Sequence, residues 1–353
     1  MKYFKKPIWL VLCIAIINSQ CTNKKTIQTS EKKKPLKIIL MIGDGMGLAQ
    51  ICAASVVNDG LYLELLKAIG FIKTSSADDY ITDSAAGATA FSTGEKTYNN
   101  AIGVGLDTLK RKTILEMAEE AGLSTGLIST CSVTHATPAS FFAHQKHRKM
   151  HQEIANDFYG KGIDYVAATG KPYFDLNKLK NDGYHVQVGG NFLSEKGSKN
   201  FWFYNDSIHP PKANVRGNWL QDATKNGIEL LNQNKQGFFM MIEGSQIDWG
   251  GHDNDLDYVV NELIDFDKAI KEAVEFAKKD GNTLVIITAD HETGGLSLNE
   301  GDLKNKKVMG HFSSKEHSGI MVPVFSFGPG SEHFTGTMQN TDIFKKMKML
   351  YGF

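Results

Sequence analysis

The stretch K-I-I-L-M-I-G-D-G, residues 37–45, is an aliphatic run that stops at an aspartate between two glycines. Such a run is typical of a strand buried on both faces, because a strand with one solvated face alternates apolar and polar residues. The glycines let the backbone turn sharply and bring the Asp44 carboxylate close to a ligand. A turn aspartate without a ligand is the alternative interpretation of this segment taken alone.

Two later runs have the same character. Residues 238–242 are apolar and are followed by Glu243, and residues 283–288 are followed closely by Asp290-His291. In an open parallel sheet, ligands bind beyond the carboxyl ends of the strands. We therefore expect these acids and this imidazole to lie at one edge of a sheet, beside Asp44.

Segments of helical and strand character alternate along the rest of the chain. Helices are predicted at residues 48–57, 84–92, 113–121 and 255–279, and further strands at residues 69–73, 124–130 and 322–327. This alternation predicts an α/β fold with a largely parallel central sheet sandwiched by helices. Residues 160–215 show no clear periodicity, and we interpret them as surface insertions with short strands such as 184–188.

The N-terminus has the pattern of an export signal. Three lysines precede an apolar run at residues 8–17, which is too short to span a membrane, and Cys21 follows it. We predict a lipoprotein-type signal peptide at residues 1–21, a flexible tether at 22–36 and a catalytic domain at 37–353. The protein would then be exported to the periplasm or cell envelope and anchored through lipid on Cys21. Ordinary cleavage with Cys21 incidental is the alternative.

Composition narrows the classes of partner. Lys+Arg and Asp+Glu balance at 39 each, so the chain has no strong field for a nucleic-acid backbone, and no nucleic-acid binding is expected. Two cysteines, Cys52 and Cys131, follow the predicted signal. Both have apolar neighbours and are predicted to be buried free thiols, with a disulfide as the alternative.

Ser84 lies in T-D-S-A-A-G-A-T, in the first turn of a predicted helix that starts near Thr82 or Asp83. Free backbone N–H groups and the helix dipole stabilise an anion there, whether an alkoxide or a phosphate. Small neighbouring residues leave room for a tetrahedral group. The segment taken alone is equally consistent with a simple helix cap.

Three groups of ligands are available for metal ions. Asp248, His252 and His317 suit a zinc site; Asp44, Asp290 and His291 suit a second zinc site; Asp44, Thr137 and Glu243 form an oxygen-rich set suited to magnesium. Each motif alone is more simply a polar loop or a structural histidine. Together they predict a pair of metals that clamps the two oxygens of a phosphoryl displacement, with Ser84 as the nucleophile.

The segments G-D-G-M-G, T-D-S-A-A-G-A-T-A-F-S-T-G-E-K-T-Y-N, H-A-T-P-A-S, E-G-S-Q-I-D-W-G-G-H, T-A-D-H-E-T-G-G and E-H-S-G resemble the alkaline phosphatase family, in its order. The resemblance implies a phosphomonoesterase with two Zn²⁺ and one Mg²⁺ that passes through a phosphoserine intermediate. It implies that Ser84 is the nucleophile and that Arg148 grips the phosphate. The residues expected to contact metal are Asp44, Ser84, His135, Thr137, Glu243, Asp248, His252, Asp290, His291 and His317.

Three features depart from the family pattern. His135 stands where some members have aspartate, which favours zinc at the third site or loosens that site. Trp249 stands where others have lysine or histidine near the phosphate, and it supplies no charge. The chain is short between Arg148 and residue 238, where surface decorations of family members often contribute to a dimer interface. The resemblance implies a homodimer, but the sequence leaves both a monomer and a dimer as alternatives.

Two other functions compete with the phosphomonoesterase. A related phosphodiesterase, sulfatase or mutase is disfavoured, because the serine motif does not match that of sulfatases and Arg148 suits two free phosphate oxygens. A surface lipoprotein that binds metal or phosphate without turnover is disfavoured by the complete ligand set and by Ser84.

Overall fold

The computed structural model describes residues 1–3, 36–195 and 197–353. The fold below is that of the unit that ends at residue 353, as far as its residues are described. Residues 4–21 of the predicted signal peptide, which include Cys21, and residues 22–35 of the predicted tether lie outside the described residues. Within the described part, no helix is both long enough and apolar enough to cross a membrane.

The strands are numbered in chain order. They are β1 Lys37–Gly43, β2 Ala68–Lys73, β3 Ser124–Ser132, β4 Tyr165–Thr169, β5 Tyr184–Val188, β6 Lys199–Phe203, β7 Phe238–Gly244, β8 Thr283–Thr288, β9 Glu292–Thr293, β10 Leu296–Asp302, β11 Lys307–Phe312, β12 His317–Ser318, β13 Val322–Phe327 and β14 Gly336–Gln339.

The α-helices are numbered in the same way. They are α1 Leu48–Asn58, α2 Ser84–Thr93, α3 Ile114–Glu120, α4 Ala136–Ala139, α5 His151–Phe158, α6 Leu176–Asn181, α7 Ala213–Arg216, α8 Trp219–Leu231, α9 Gln246–Asp253, α10 Leu256–Asp280 and α11 Thr341–Tyr351.

Ten strands form the central sheet, in the order β14-β2-β13-β8-β1-β7-β3-β4-β6-β5. Strand β13 pairs antiparallel with β2 and β8, and the other neighbours pair in parallel. The prediction of an α/β fold with a largely parallel sheet is confirmed. The strands β8, β1 and β7 are adjacent, so the residues that follow them meet at one edge.

Burial explains why the central strands could be recognised from sequence. All of β7 and β8 is buried, as is β1 after its first residue. Helix α10 covers this sheet with an apolar face; Asp255 caps its start through the Tyr258 N–H at 3.0 Å, and Gly281 ends it in a left-handed conformation. These end residues satisfy backbone groups that a helix leaves unpaired.

The structure differs from two expectations. Residues 160–215 are not merely surface insertions, because β4, β6 and β5 extend one side of the central sheet, and β4 is fully buried. Their small and aromatic residues hide the strand pattern in the sequence. Cys131 is buried and free as predicted, but the prediction that Cys52 is buried is wrong: it is free and exposed on α1.

Candidate active site

The candidate site lies at the carboxyl edge of the central sheet. Asp44 follows β1, Glu243 lies near the end of β7, and Asp290 and His291 follow β8; all four are fully buried. Glycines make this crowding feasible. A Cβ on Gly45, which has φ +73°, would lie 2.7 Å from Asp248 Cα, and a Cβ on Gly87 would lie 3.1 Å from Asp290 Cβ.

Ser84 is the first residue of α2 and is almost completely buried. Its Oγ lies 3.2 Å from His291 Nε2, a residue 207 positions later in the chain. Asp83 caps the helix by accepting from the Ala86 N–H at 3.0 Å. The hydroxyl therefore faces the ligand cluster from a helix N-terminus, where the dipole and free N–H groups favour negative charge.

A first cluster joins Asp248 with two imidazoles. Asp248 Oδ1 lies 3.3 Å from His252 Nε2 and 3.4 Å from His317 Nε2, and the two nitrogens are 3.2 Å apart. The other ring nitrogens are occupied, since His252 Nδ1 contacts the Lys315 carbonyl and His317 Nδ1 lies 2.9 Å from the Thr82 carbonyl. Such carbonyls hold the proton on Nδ1 and leave Nε2 free to bind a metal.

A second cluster joins His291 with two carboxylates. His291 Nε2 lies 3.4 Å from Asp44 Oδ1 and 3.3 Å from Asp290 Oδ2. The ligand atoms of Asp248, His291 and His317 also lie within 4.8 Å of one another, so the two clusters adjoin. The donor types and spacing suit two metal ions close together.

Unpaired polar atoms show that these residues fit cations. Of the side chains the structure describes, several at this edge are buried with no hydrogen-bond partner: both Asp44 carboxylate oxygens, Asp290 Oδ2, Glu243 Oε1, Thr137 Oγ1 and His135 Nδ1. Buried carboxylate oxygens without partners are costly and are usually paired with cations or metals. The oxygens of Asp44, Glu243 and Thr137 are the set predicted to hold magnesium.

The pKa values reflect the same excess of negative charge. Burial, and then the neighbouring Asp290, raises the pKa of Asp44 well above its usual value. Burial also raises the pKa of Glu243 to about 7 and that of Asp290 to about 6. Asp248 is the exception: burial opposes its charge, but the adjoining imidazoles of His252 and His317 hold its pKa well below the usual value. A cation would relieve the repulsion among these groups.

Arg148 reaches the site from the segment after α4. Its Nη1 donates to Asp83 Oδ2 at 2.9 Å, and its Nη2 lies 3.5 Å from His135 Nε2. Burial disfavours its charge, but Asp83 more than compensates and raises the pKa of Arg148. The guanidinium is therefore charged and held beside the N-terminus of α2, where it can meet an anion bound at Ser84.

The structure brings every predicted site residue to this edge and adds two that sequence reasoning missed. The Thr293 hydroxyl donates to Asp248 Oδ1 at 2.5 Å and lies 3.2 Å from His291 Nδ1. The ring of His209 packs against Trp249 with centroids 4.9 Å apart. Thr293 lies within the quoted T-A-D-H-E-T segment, so its position next to predicted ligands in the sequence could have identified it. No sequence pattern pointed to His209.

Comparison with known proteins gives a consistent result. A family model described as alkaline phosphatase matches residues 36–190 and 208–311. Alkaline phosphatase 3 of Bacillus subtilis (strain 168) is 34% identical over 98% of this chain and 97% of that protein. The solved alkaline phosphatase of the Antarctic bacterium TAB5 is 41% identical, with a TM-score of 0.87 over 92% of this chain and 99% of that chain. A variant of the TAB5 enzyme with aspartate in place of a histidine, 40% identical with a TM-score of 0.86 and the same coverage, has magnesium bound in its M3 site.

Proposed function

The chain belongs to the alkaline phosphatase family and is a phosphomonoester hydrolase, and we propose that it works through a phosphoserine intermediate on Ser84 with two Zn²⁺ and one Mg²⁺. The observation that supports this most directly is the position of Ser84 Oγ, 3.2 Å from His291 Nε2 at the start of α2. A nucleophile there faces the imidazole and carboxylate ligands and is also within the field of the helix N-terminus.

The proposed reaction has two displacements at phosphorus. Ser84 gives up its hydroxyl proton and its Oγ forms a bond to phosphorus while the bond to the ester oxygen breaks, and the departing oxygen takes up a proton. Water then attacks the phosphoserine, the Oγ–phosphorus bond breaks, Oγ takes up a proton from the water, and inorganic phosphate leaves the restored Ser84 hydroxyl. The helix N-terminus stabilises the serine oxygen when it is anionic.

Asp248, His252 and His317 would hold one zinc, and Asp44, Asp290 and His291 the other. Asp44, Thr137 and Glu243 would hold magnesium, with His135 near that site as a residue that favours zinc instead. When bound, such ions lower the pKa of the nucleophile and neutralise charge on the entering and leaving oxygens.

Arg148 is proposed to bind two free oxygens of the phosphoryl group. Its guanidinium fork suits a bidentate contact, and the salt bridge to Asp83 orients it before substrate arrives. A monoester has three non-bridging oxygens and a diester two, so only a monoester keeps a third free oxygen for the metal sites when Arg148 binds two, which favours monoesters. Every residue that we assign a role acts on the phosphoryl group, so we propose broad specificity toward phosphate monoesters.

We further propose export to the periplasm or cell envelope, a lipid anchor on Cys21 and a homodimeric assembly. The first two rest on the N-terminal sequence, and the third on family membership. Replacing Cys21→Ser should move the protein from the membrane fraction to the soluble fraction. Analytical ultracentrifugation should give twice the chain mass, and a single-chain mass would contradict the dimer.

The catalytic proposal is tested with an aryl phosphate and purified protein. We expect phosphate release that a chelator abolishes and that zinc and magnesium restore. Ser84→Ala should remove the acid-stable phosphoryl-protein. Ser92→Ala should retain it, because Ser92 is a buried serine of the same helix whose hydroxyl donates to the Thr89 carbonyl. Turnover unaffected by chelation, or phosphoryl-protein in the Ser84→Ala variant, would contradict the proposal. Bound zinc without turnover would instead support a metal-binding lipoprotein.

A further inference from the structure

Glu292 is a buried acid that touches none of the candidate reacting groups. Only 3% of the residue is exposed. Its Oε1 accepts from Gln50 Nε2 at 2.8 Å and from the Leu296 N–H at 3.1 Å. Its Oε2 accepts from the Gly295 N–H at 3.3 Å and from the Ser318 hydroxyl. Four donors therefore satisfy this carboxylate, and among the ion pairs of the described chain none involves it.

The donors come from three segments that each carry a candidate metal ligand. Gln50 lies on α1, which begins just after the Asp44 turn. Glu292 itself directly follows His291. Ser318 directly follows His317, and the register of β9 with β12 places Ser318 opposite Glu292. One side chain thus joins the backbone segments of both proposed zinc sites.

The surrounding residues leave room for this carboxylate. A Cβ on Gly47 would lie 2.4 Å from Glu292 Cγ and 2.7 Å from Gln50 Oε1, so the last glycine of G-D-G-M-G is required by this contact. Gln50 Nε2 donates both to Glu292 and, at 2.8 Å, to the Thr293 carbonyl. These two acceptors fix the amide orientation even though Gln50 Oε1 is then buried without a partner. A hydrogen bond to a charged acceptor is stronger than a neutral one, which offsets that cost.

We propose that Glu292 is a positioning residue that holds His291 and His317 at the spacing required by two zinc ions. This inference rests on the zinc sites of the proposed function and deepens it. Residues that orient metal ligands through hydrogen bonds affect metal affinity without touching the metal. Glu292 acts on ligand-bearing backbone rather than on a ligand ring, so its loss loosens both sites together.

The test is the rate of zinc release from the full zinc-loaded protein into excess chromogenic chelator. In Glu292→Gln, one carboxylate oxygen becomes an NH₂ group that faces existing donors, so at least one N–H group loses its acceptor even if the Ser318 hydroxyl turns to accept. We expect release to accelerate about 10- to 100-fold. Ser318→Ala removes one of the four bonds with little change of shape, and it should accelerate release by a smaller factor.

Asp267→Asn is the matched control. Asp267 is a buried acid on α10 that accepts from the Tyr62 and Leu63 N–H groups at 2.7 and 2.9 Å, away from the ligands. Its loss should lower the urea midpoint of the zinc-free protein but leave zinc release at the wild-type rate.

The outcomes separate the two proposals. Wild-type release from both the Glu292→Gln and Ser318→Ala variants overturns the positioning role, as does equal acceleration by Asp267→Asn. If the wild-type protein retains no zinc at all, the proposed function itself fails before any variant is compared. Faster release from the Glu292 and Ser318 variants alone, in the expected order, supports the positioning role.

Discussion

Replacing Thr293→Val removes one hydroxyl from the candidate site and keeps the shape of the side chain. That hydroxyl donates to Asp248 Oδ1 at 2.5 Å, so its oxygen is left to accept from the Nδ1–H of His291 at 3.2 Å. Thr293 is fully buried. The substitution therefore disconnects a ligand of one proposed zinc site from a ligand of the other.

The magnitude follows from the two bonds that are lost. A hydrogen bond to a charged group contributes about 1.5–3 kcal/mol, and a buried donor left unpaired costs about 1–3 kcal/mol. His291 can avoid that cost by moving its proton to Nε2, the nitrogen that faces Ser84 and the carboxylates, but this tautomer cannot bind a metal. If the charged bond alone is lost from the reacting state, kcat/KM falls by about 10- to 140-fold, since 1.4 kcal/mol corresponds to a factor of ten.

The assay is kcat/KM for an aryl phosphate at saturating zinc and magnesium. Thr224→Val is the matched control, because the Thr224 hydroxyl is buried on α8 and has no hydrogen-bond partner among the residues that the structure describes. The control should leave kcat/KM unchanged and leave stability equal or slightly higher. A decrease of less than about twofold in Thr293→Val, or an equal decrease in the control, would refute the reasoning that His291 and Asp248 depend on this bridge.

Three further predictions concern charge. Arg148→Lys should raise KM for the aryl phosphate about 10-fold or more with the fold intact, because an ammonium group cannot reproduce the bidentate fork; an unchanged KM would contradict the phosphate-binding role. Glu116 is partly buried, yet hydrogen bonds from His144 and Lys161 lower its pKa from 4.5 to about 2. Its stabilising contribution is therefore present above pH 4.5 and is lost as the pH falls toward 2. Glu116→Gln should lower the free energy of unfolding at pH 7 by about 1–2 kcal/mol, with allowance for solvent screening, and by less at pH 3.5. Urea unfolding of the zinc-free protein measures the free energy at both pH values, and a difference independent of pH would refute the assignment. His135→Asp should lower the magnesium concentration needed for half-maximal activity, because carboxylate oxygen suits Mg²⁺ better than imidazole does. If the variant needs as much magnesium as the wild type, residue 135 does not contribute to the third metal site.

The quoted motifs are visibly rich in glycine and alanine, but the sequence does not show which side chains these small residues contact. Gly47 is required by Glu292, and Gly87 lies against Asp290, in each case a contact between residues about 200 or more positions apart. The strands β4 and β6 of the central sheet were missed for a related reason. Their sequences, Y-V-A-A-T and K-N-F-W-F, have neither the aliphatic run of β1 nor a regular alternation. They become strands because β3 offers an edge on which β4 pairs, and β4 in turn offers one to β6.

The sequence by itself determined the fold class, the order of the main strands and helices, and the set of chemically capable side chains, because local patterns of burial and turn residues encode which segments end at the carboxyl edge of a parallel sheet. Only the tertiary structure decided how those side chains meet. The 3.2 Å contact of Ser84 with His291, the Thr293 bridge and the Glu292 cluster depend on strand register and on packing between segments that are far apart in the chain. Such contacts leave no periodic trace in the sequence, since each is fixed by a single side chain at a single position.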